Sequence, residues 1–309
     1  MVELNPALKR KLLEKRGIVG VSDPEDKIIV YVEDERKAKA VPRALDNIPV
    51  ETVVVGKVRA LPLLAQDVKM KVRPIVGGIS IGPPIEIAGT LGIVMNGRIL
   101  TCAHVAAMDY MNVEWFERGT KILQPSLIDG GKLEDDVIGY LSDYGRMSFG
   151  LGSANIGDAA IVHPVVDFKE MEVFKVGKLR GIVRPESGMN VKKIGRTTGL
   201  TESQILDTKA TMKVDYGPFG FAIFKDCVIA KPAFAQGGDS GAPVFTDDGY
   251  LAGFVFAGSE YVTVIQTVES FIKSLEGSEI RMDMTPYLLL GGAFVIGSAI
   301  GYFLSKEVG

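Results

Sequence analysis

A mainly β fold, built as a sandwich or as barrels, is what the sequence predicts for most of this chain, and three observations carry the prediction. Between residues 75 and 265 the apolar residues fall in short runs separated by glycine-rich turns, not in the alternating strand and helix stretches of a βαβ sheet. GTLGIVM, then Asn96–Gly97, then RILTCA reads as a hairpin, because Asn-Gly supplies the positive φ angles of a type I′ turn. The same punctuation returns at Asp129-Gly130-Gly131, Tyr216–Gly217 and Asp247-Asp248-Gly249.

Taken in order, the elements are these. Residues 1–17 are charged throughout and lack the apolar run of a secretory signal. Residues 18–60 form a small α/β unit: IVGV and KIIVYVED are strand-like, KAKAVPRALDN has helical character with Pro42 near its start, and VETVVVGKV is strand-like again. Residues 61–74 read as a connector. Strands follow at DDVIGYL, DAAIVHP, NVKKIG, FAIFKDCVIA, GAPVF and YLAGFVFAG, and TVESFIKSLEG reads as a closing helix with Gly277 as its C-cap. Residues 287–304 carry no charge over 18 residues, near the lower end of the roughly 17–25 needed to cross a bilayer. Ala293, Gly297 and Gly301 fall four apart there, a small-residue face that allows close helix–helix association in lipid.

Composition narrows the function. A net charge of −3 gives no global electrostatic case for nucleic-acid binding. Two cysteines, Cys102 and Cys227, exclude a disulfide framework and a four-cysteine zinc site, and with two histidines they lack zinc-finger spacing. Free thiols and the absent leader suit a cytoplasmic domain on a single-pass C-terminal anchor. Any imidazole chemistry must use His104 or His163, the only two histidines.

Three local patterns bear on chemistry. GGDSGAPVF sets Ser240 in a glycine-bracketed turn just before a strand; a nucleophilic serine needs an exposed Oγ, and glycines let the neighbouring amides converge on an oxyanion. ILTCAHVAAM delivers His104 at a strand end. NIGDAAIV draws Asp158 inward ahead of an apolar strand, and a buried carboxylate needs a partner that an imidazole N–H would supply. The chain order His, Asp, Ser is that of the chymotrypsin arrangement and not of subtilisin or the α/β-hydrolases.

With RPIVGGISIG, GTLGIV, ILTCAHV, ILQPSLIDGG, NIGDAAIV, KKIGRTTGLTESQI and GGDSGAPVF occurring in the same order over residues 73–265, the chain resembles the trypsin-like (chymotrypsin-fold) serine peptidases, nearest to the non-secreted bacterial, archaeal and plant narrow-leaf-type branch. The resemblance implies two six-stranded antiparallel β-barrels. His104 would be the general base, Asp158 its orienting acid and Ser240 the nucleophile, with the amides of Gly238 and Ser240 as oxyanion hole. Phe234, Gln236, Phe256 and Gly258 would line the substrate pocket. Asp239 stands where zymogen-activated relatives pair with a freshly cut N-terminus; no such terminus is evident here, so Asp239 needs another partner.

The expected organisation is an N-terminal helix and α/β unit at 1–66, a peptidase domain at 73–280 and a transmembrane helix at 286–304. The expected function is a membrane-anchored serine endopeptidase acting on protein or peptide substrates, without metal or organic cofactor. A catalytically silent domain serving as a protein-binding platform is the alternative.

Overall fold

The computed structural model describes residues 6–23, 27–60, 68 and 70–275, and these are mainly β with few helices. The N-terminal unit runs α1 (Pro6–Leu13), β1 (Ile18–Ser22), β2 (Ile28–Val32), α2 (Glu35–Lys39), β3 (Ala44–Leu45), β4 (Ile48–Val54) and the two-residue β5 (Arg59–Ala60). Next come β6 (Ile75–Gly77), β7 (Ser80–Ile81), β8 (Gly89–Thr90), β9 (Ile93–Met95), β10 (Arg98–Thr101), α3 (Ala103–Ala106), β11 (Met108–Asp109), β12 (Glu114–Trp115), β13 (Lys121–Leu123), β14 (Val137–Tyr144) and β15 (Ala160–Pro164). β16 (Phe168–Val173), β17 (Gly177–Lys178) and β18 (Gly181–Ile182) lead to β19 (Asn190–Gly195), β20 (Gly199–Asp215), β21 (Phe221–Lys231), β22 (Pro243–Phe245), β23 (Tyr250–Gly258), β24 (Thr263–Thr267) and α4 (Val268–Lys273).

The second half closes on itself. Its strands pair in the order β19-β22-β23-β24-β21-β20, and β20 pairs back to β19, so six antiparallel strands form a ring. Closure removes the sheet edges that would otherwise invite pairing with other chains. The first half is a five-stranded sheet, β13-β14-β15-β10-β9, which the separate β7–β8 pair joins through the Gly82–Leu123 bridge. The expectation of six strands in each half is therefore met by the ring in the second half, whereas in the first half the short β7 and β8 leave the main ladder after a single bridge. The Asn96–Gly97 hairpin forms as expected, with Met95 opposite Arg98 and φ of 53° and 65° at the turn.

The N-terminal unit is not a separate layer. β1 pairs antiparallel with β20 through Gly20–Met212 and Val21–Thr211, so β2, β4 and β3 extend the sheet of the second half. Tyr31, fully buried on β2, hydrogen-bonds the buried Asp207 of β20 through its hydroxyl. One apolar core joins Val19, Tyr31, Val55 and Val58 to Ile99 and Val105 of the first half and Phe224 and Phe256 of the second. The helix expected over residues 37–47 forms earlier and is shorter. Asp34 caps it through Lys37 N–H, and it ends before Val41–Pro42, since a proline offers no amide and disfavours helix in the residue before it. Asp46 and Asn47, with φ of 50° and 65°, then make a tight turn between β3 and β4.

Thr267 caps the closing helix by accepting from Ser270 N–H at 2.9 Å. Gly277 and the apolar stretch 287–304 lie outside the described residues. Among the described residues no helix is long and apolar enough to cross a membrane.

Candidate active site

β10 ends at Thr101, and the chain turns into the single helical turn of α3, which places His104 at the junction between the two halves. Asp158 lies just ahead of β15, paired with β10 in the same sheet, so the two residues meet although 54 positions separate them. His104 Nδ1 lies 2.5 Å from Asp158 Oδ2, and the backbone N–H of His104 donates to Asp158 Oδ1 at 3.0 Å. The second bond fixes the residue as well as the ring. Asp158 is wholly buried, as the sequence led us to expect of this carboxylate.

Two further residues hold Asp158, and neither is marked by a local motif. Tyr216 donates its hydroxyl to Asp158 Oδ2 at 2.8 Å, and its ring meets the His104 imidazole edge-on at 5.9 Å between centroids. Burial, then the Asp158 charge, holds the Tyr216 phenol well above its ordinary pKa, so it stays a donor throughout the working pH range. The Gln266 side chain accepts from Asp158 N–H at 2.8 Å and donates to the Asp158 carbonyl at 2.7 Å, satisfying both backbone groups in a buried site.

Ser240 is delivered by the tight turn ahead of β22, and β8 clamps that turn. Thr90 N–H donates to the Ser240 carbonyl at 2.8 Å, and the Thr90 hydroxyl donates to the Gly238 carbonyl, also at 2.8 Å. Gly241 has φ of 92°, and a Cβ there would run into the Thr90 carbonyl and the Thr101 hydroxyl, so only glycine fits. The amides of Gly238 and Ser240 donate to no group among the described residues, the state an oxyanion-binding pair requires. His104 Nε2 and Ser240 Oγ are both buried, and neither has a hydrogen-bond partner among the described residues, so the two do not bond each other here.

The partner of Asp239 is Lys193. Both side chains are fully buried and their charged atoms lie 3.3 Å apart. Asp239 also accepts from the amides of Thr197 (2.8 Å), Thr198 (3.2 Å) and Gln236 (2.9 Å) and from the Thr198 hydroxyl (2.7 Å). Lys193, on β19, is thus the cation that Asp239 pairs with. Burial lowers the Lys193 ammonium below the ordinary lysine value, with Asp239 opposing that shift. Beside it, Arg196 grips Asp129 at 2.5 and 2.6 Å, both buried, and its guanidinium backs the Gly238 turn.

The expected substrate-contacting residues divide. Gln236 is exposed at the turn, and Gly258 lies at the end of β23. Phe234 is buried, with its backbone held by Thr201 and Thr263. Phe256 points into the core, 4.9 Å from the Phe224 ring centroid, so its ring is packed away from any substrate. The Cys102 Sγ, His104 and Asp158 ligand atoms lie within 4.8 Å of one another, a donor set with metal-binding potential. The set fits an ion poorly: His104 and Asp158 are bonded to each other, and burial pushes the Cys102 thiol well above its ordinary pKa.

No family model matches the chain, and no curated protein does. Among solved structures it is similar to a chymotrypsin of Cellulomonas bogoriensis (19% identity, TM-score 0.47, covering 68% of this chain and 98% of that one). It is also similar to protease A of Thermobifida fusca (19% identity, TM-score 0.46, covering 65% and 96%) and to the inactive form of the Rv3671c protease (15% identity, TM-score 0.39, covering 65% and 88%). Likenesses at this level leave the site's own geometry to decide the chemistry. On its own topology, a closed six-stranded antiparallel ring beside a smaller five-stranded sheet, the chain resembles the chymotrypsin-like serine proteases in fold.

Proposed function

We propose that this chain is a serine endopeptidase, and the observation that carries the reading is the buried His104–Asp158 pair, with His104 Nε2 and Ser240 Oγ both buried and unpartnered among the described residues. Ser240 Oγ attacks a peptide carbonyl while His104 Nε2 takes its proton. Asp158 keeps the other imidazole proton on Nδ1 and stabilises the imidazolium as it forms. The amides of Gly238 and Ser240 bind the oxyanion; a donor of this kind is worth about 2.7–4 kcal/mol in the transition state. His104 then gives its proton to the leaving amine, and water, activated by the same imidazole, hydrolyses the acyl-enzyme. The bond between Ser240 and His104 forms on substrate binding through rotation of the serine side chain, a tightening common at unliganded sites. Lys193 supplies the positive charge that Asp239 needs beside the serine turn.

The missing Ser240–His104 bond also motivates the rival reading, a silent domain used as a binding platform. A fluorophosphonate probe decides between them. Full-length protein should be labelled, and labelling should vanish in Ser240→Ala and drop at least a hundredfold in His104→Ala. Labelling that survives Ser240→Ala, or none at all in the parent, would leave the platform reading.

Residues 287–304 support a membrane tether, with the peptidase on the cytoplasmic side and Gly297 and Gly301 available for helix association. Full-length protein recovered in the soluble fraction after detergent-free lysis would remove that part.

A further inference from the structure

The end of β23 carries a strand that belongs to neither half. One edge of β23 pairs with β24 as far as Ala257–Val264 and Gly258–Thr263. Its other edge pairs with β22 at Phe254, and the serine turn continues that row: Gly241 N–H donates to the Val255 carbonyl, and Val255 N–H donates to the Ala242 carbonyl. Beyond this point the row would be open beside Ser240. It is filled instead by β5, antiparallel, with Ala60 opposite Ala257 and Arg59 opposite Gly258. The other side of β5 pairs parallel with Asp215 at the end of β20, next to Tyr216.

Direction and position both matter here. Because β5 runs antiparallel to β23, its C-terminal end points along the row toward Ser240. An extended peptide laid on the same edge in the same direction would carry a carbonyl toward the serine hydroxyl, as the acyl half of a substrate must. The strap leading to β5 is also firmly seated. Val55 and Val58 are buried in the main core, Ser259 donates its hydroxyl to the Val55 carbonyl, and Lys57 pairs with Asp215 at 2.8 Å.

We infer that β5, paired along the Ala257–Gly258 edge, is an intramolecular competitor that an extended peptide substrate must displace. The chemistry of recognition is backbone addition to a sheet edge, so the ligand class is an extended peptide and not a folded surface. Phe256 agrees with this, since its ring is turned into the core and leaves the main chain as the contact. The inference rests on the serine-endopeptidase reading. In the parent chain the site would then react with small probes that need only Ser240, yet handle extended peptides slowly until the strap is displaced.

The test keeps the whole chain, because β1 and β2 are part of the sheet and cannot be removed cleanly. Arg59→Pro/Ala60→Pro deletes the amides of β5 on both residues. Its kcat/KM on tetrapeptide substrates should rise at least tenfold over the parent, while fluorophosphonate labelling of Ser240 changes less than threefold. If proline disturbs folding, as a thermal melt would show, Lys57→Ala/Ser259→Ala removes two side-chain anchors instead and should raise tetrapeptide hydrolysis at least threefold. A synthetic Lys-Val-Arg-Ala-Leu peptide, matching residues 57–61, should inhibit the released variant competitively. Unchanged tetrapeptide hydrolysis in folded variants, or no competition by the peptide, overturns the inference while Ser240-dependent labelling keeps the peptidase reading. Absence of labelling in every protein brings down the peptidase reading itself, and the inference with it.

Discussion

Tyr216 offers the sharpest test of how the site is held. Tyr216→Phe removes one oxygen and leaves the ring, which packs at 5.8 Å from Phe149 and 6.0 Å from Phe224, so the cavity and the apolar burial stay as they are. What disappears is a 2.8 Å bond to a buried carboxylate that, among the described residues, then keeps the two bonds from His104. A hydrogen bond to a charged group contributes about 1.5–3 kcal/mol. At about 1.36 kcal/mol per factor of ten, that corresponds to a loss of roughly 10- to 150-fold if it falls wholly on the transition state. The loss belongs in kcat and not in KM, because Asp158 orients the imidazole and touches no substrate. Steady-state hydrolysis of a peptide substrate together with thermal unfolding separates the outcomes. A kcat within twofold of the parent refutes the positioning role. A full loss of stability with no change in rate would make Tyr216 a purely structural partner.

Three further outcomes follow from other contacts. Lys193→Arg should move the alkaline limb of activity upward, because burial lowers the lysine ammonium whereas a guanidinium stays charged. The sign for stability is opposite: between the lowered folded pKa and the ordinary lysine value the unfolded chain binds the extra proton, so this residue's contribution to stability rises with pH while the Asp239 ion pair is lost; an alkaline limb unmoved in the pH–rate profile would count against the pair. Gln266→Leu leaves the buried N–H and carbonyl of Asp158 without partners, at about 1–3 kcal/mol each, and a chemical denaturation curve should show a loss of at least about 2 kcal/mol. Gly241→Ala forces a Cβ toward the Thr90 carbonyl at positive φ, and fluorophosphonate labelling should fall at least tenfold even where the protein still folds.

The three residues of the proposed triad each sit in a local pattern: a strand end for His104, a glycine-bracketed turn for Ser240, an acid ahead of an apolar strand for Asp158, and of these the structure pairs His104 with Asp158. Their supports were not legible this way. Thr90 reaches Gly238 across 148 positions and Gln266 reaches Asp158 across 108, and only the closing of the sheets brings such residues together. Lys193 lies inside a stretch that the motif comparison singled out, yet a lysine on a strand reads as solvated until its neighbours are known. The orientation of Phe256 was hidden because β23 is buried along nearly its whole length, which erases the two-residue alternation that normally tells the faces apart. The β regularity of the second half was legible from its turns, whereas the pairing of β1 with β20 had no signal short of the fold.

The central claim is that Ser240 forms a covalent acyl intermediate with His104 as its base. Reaction of the full-length chain with p-nitrophenyl acetate, followed by rapid quench and peptide mass mapping, tests it most directly. The account predicts a burst approaching one equivalent per chain, with the acetyl group on Ser240, and no burst in His104→Ala. An acetyl group found on another residue such as Cys102, or a burst that persists without His104, would contradict it.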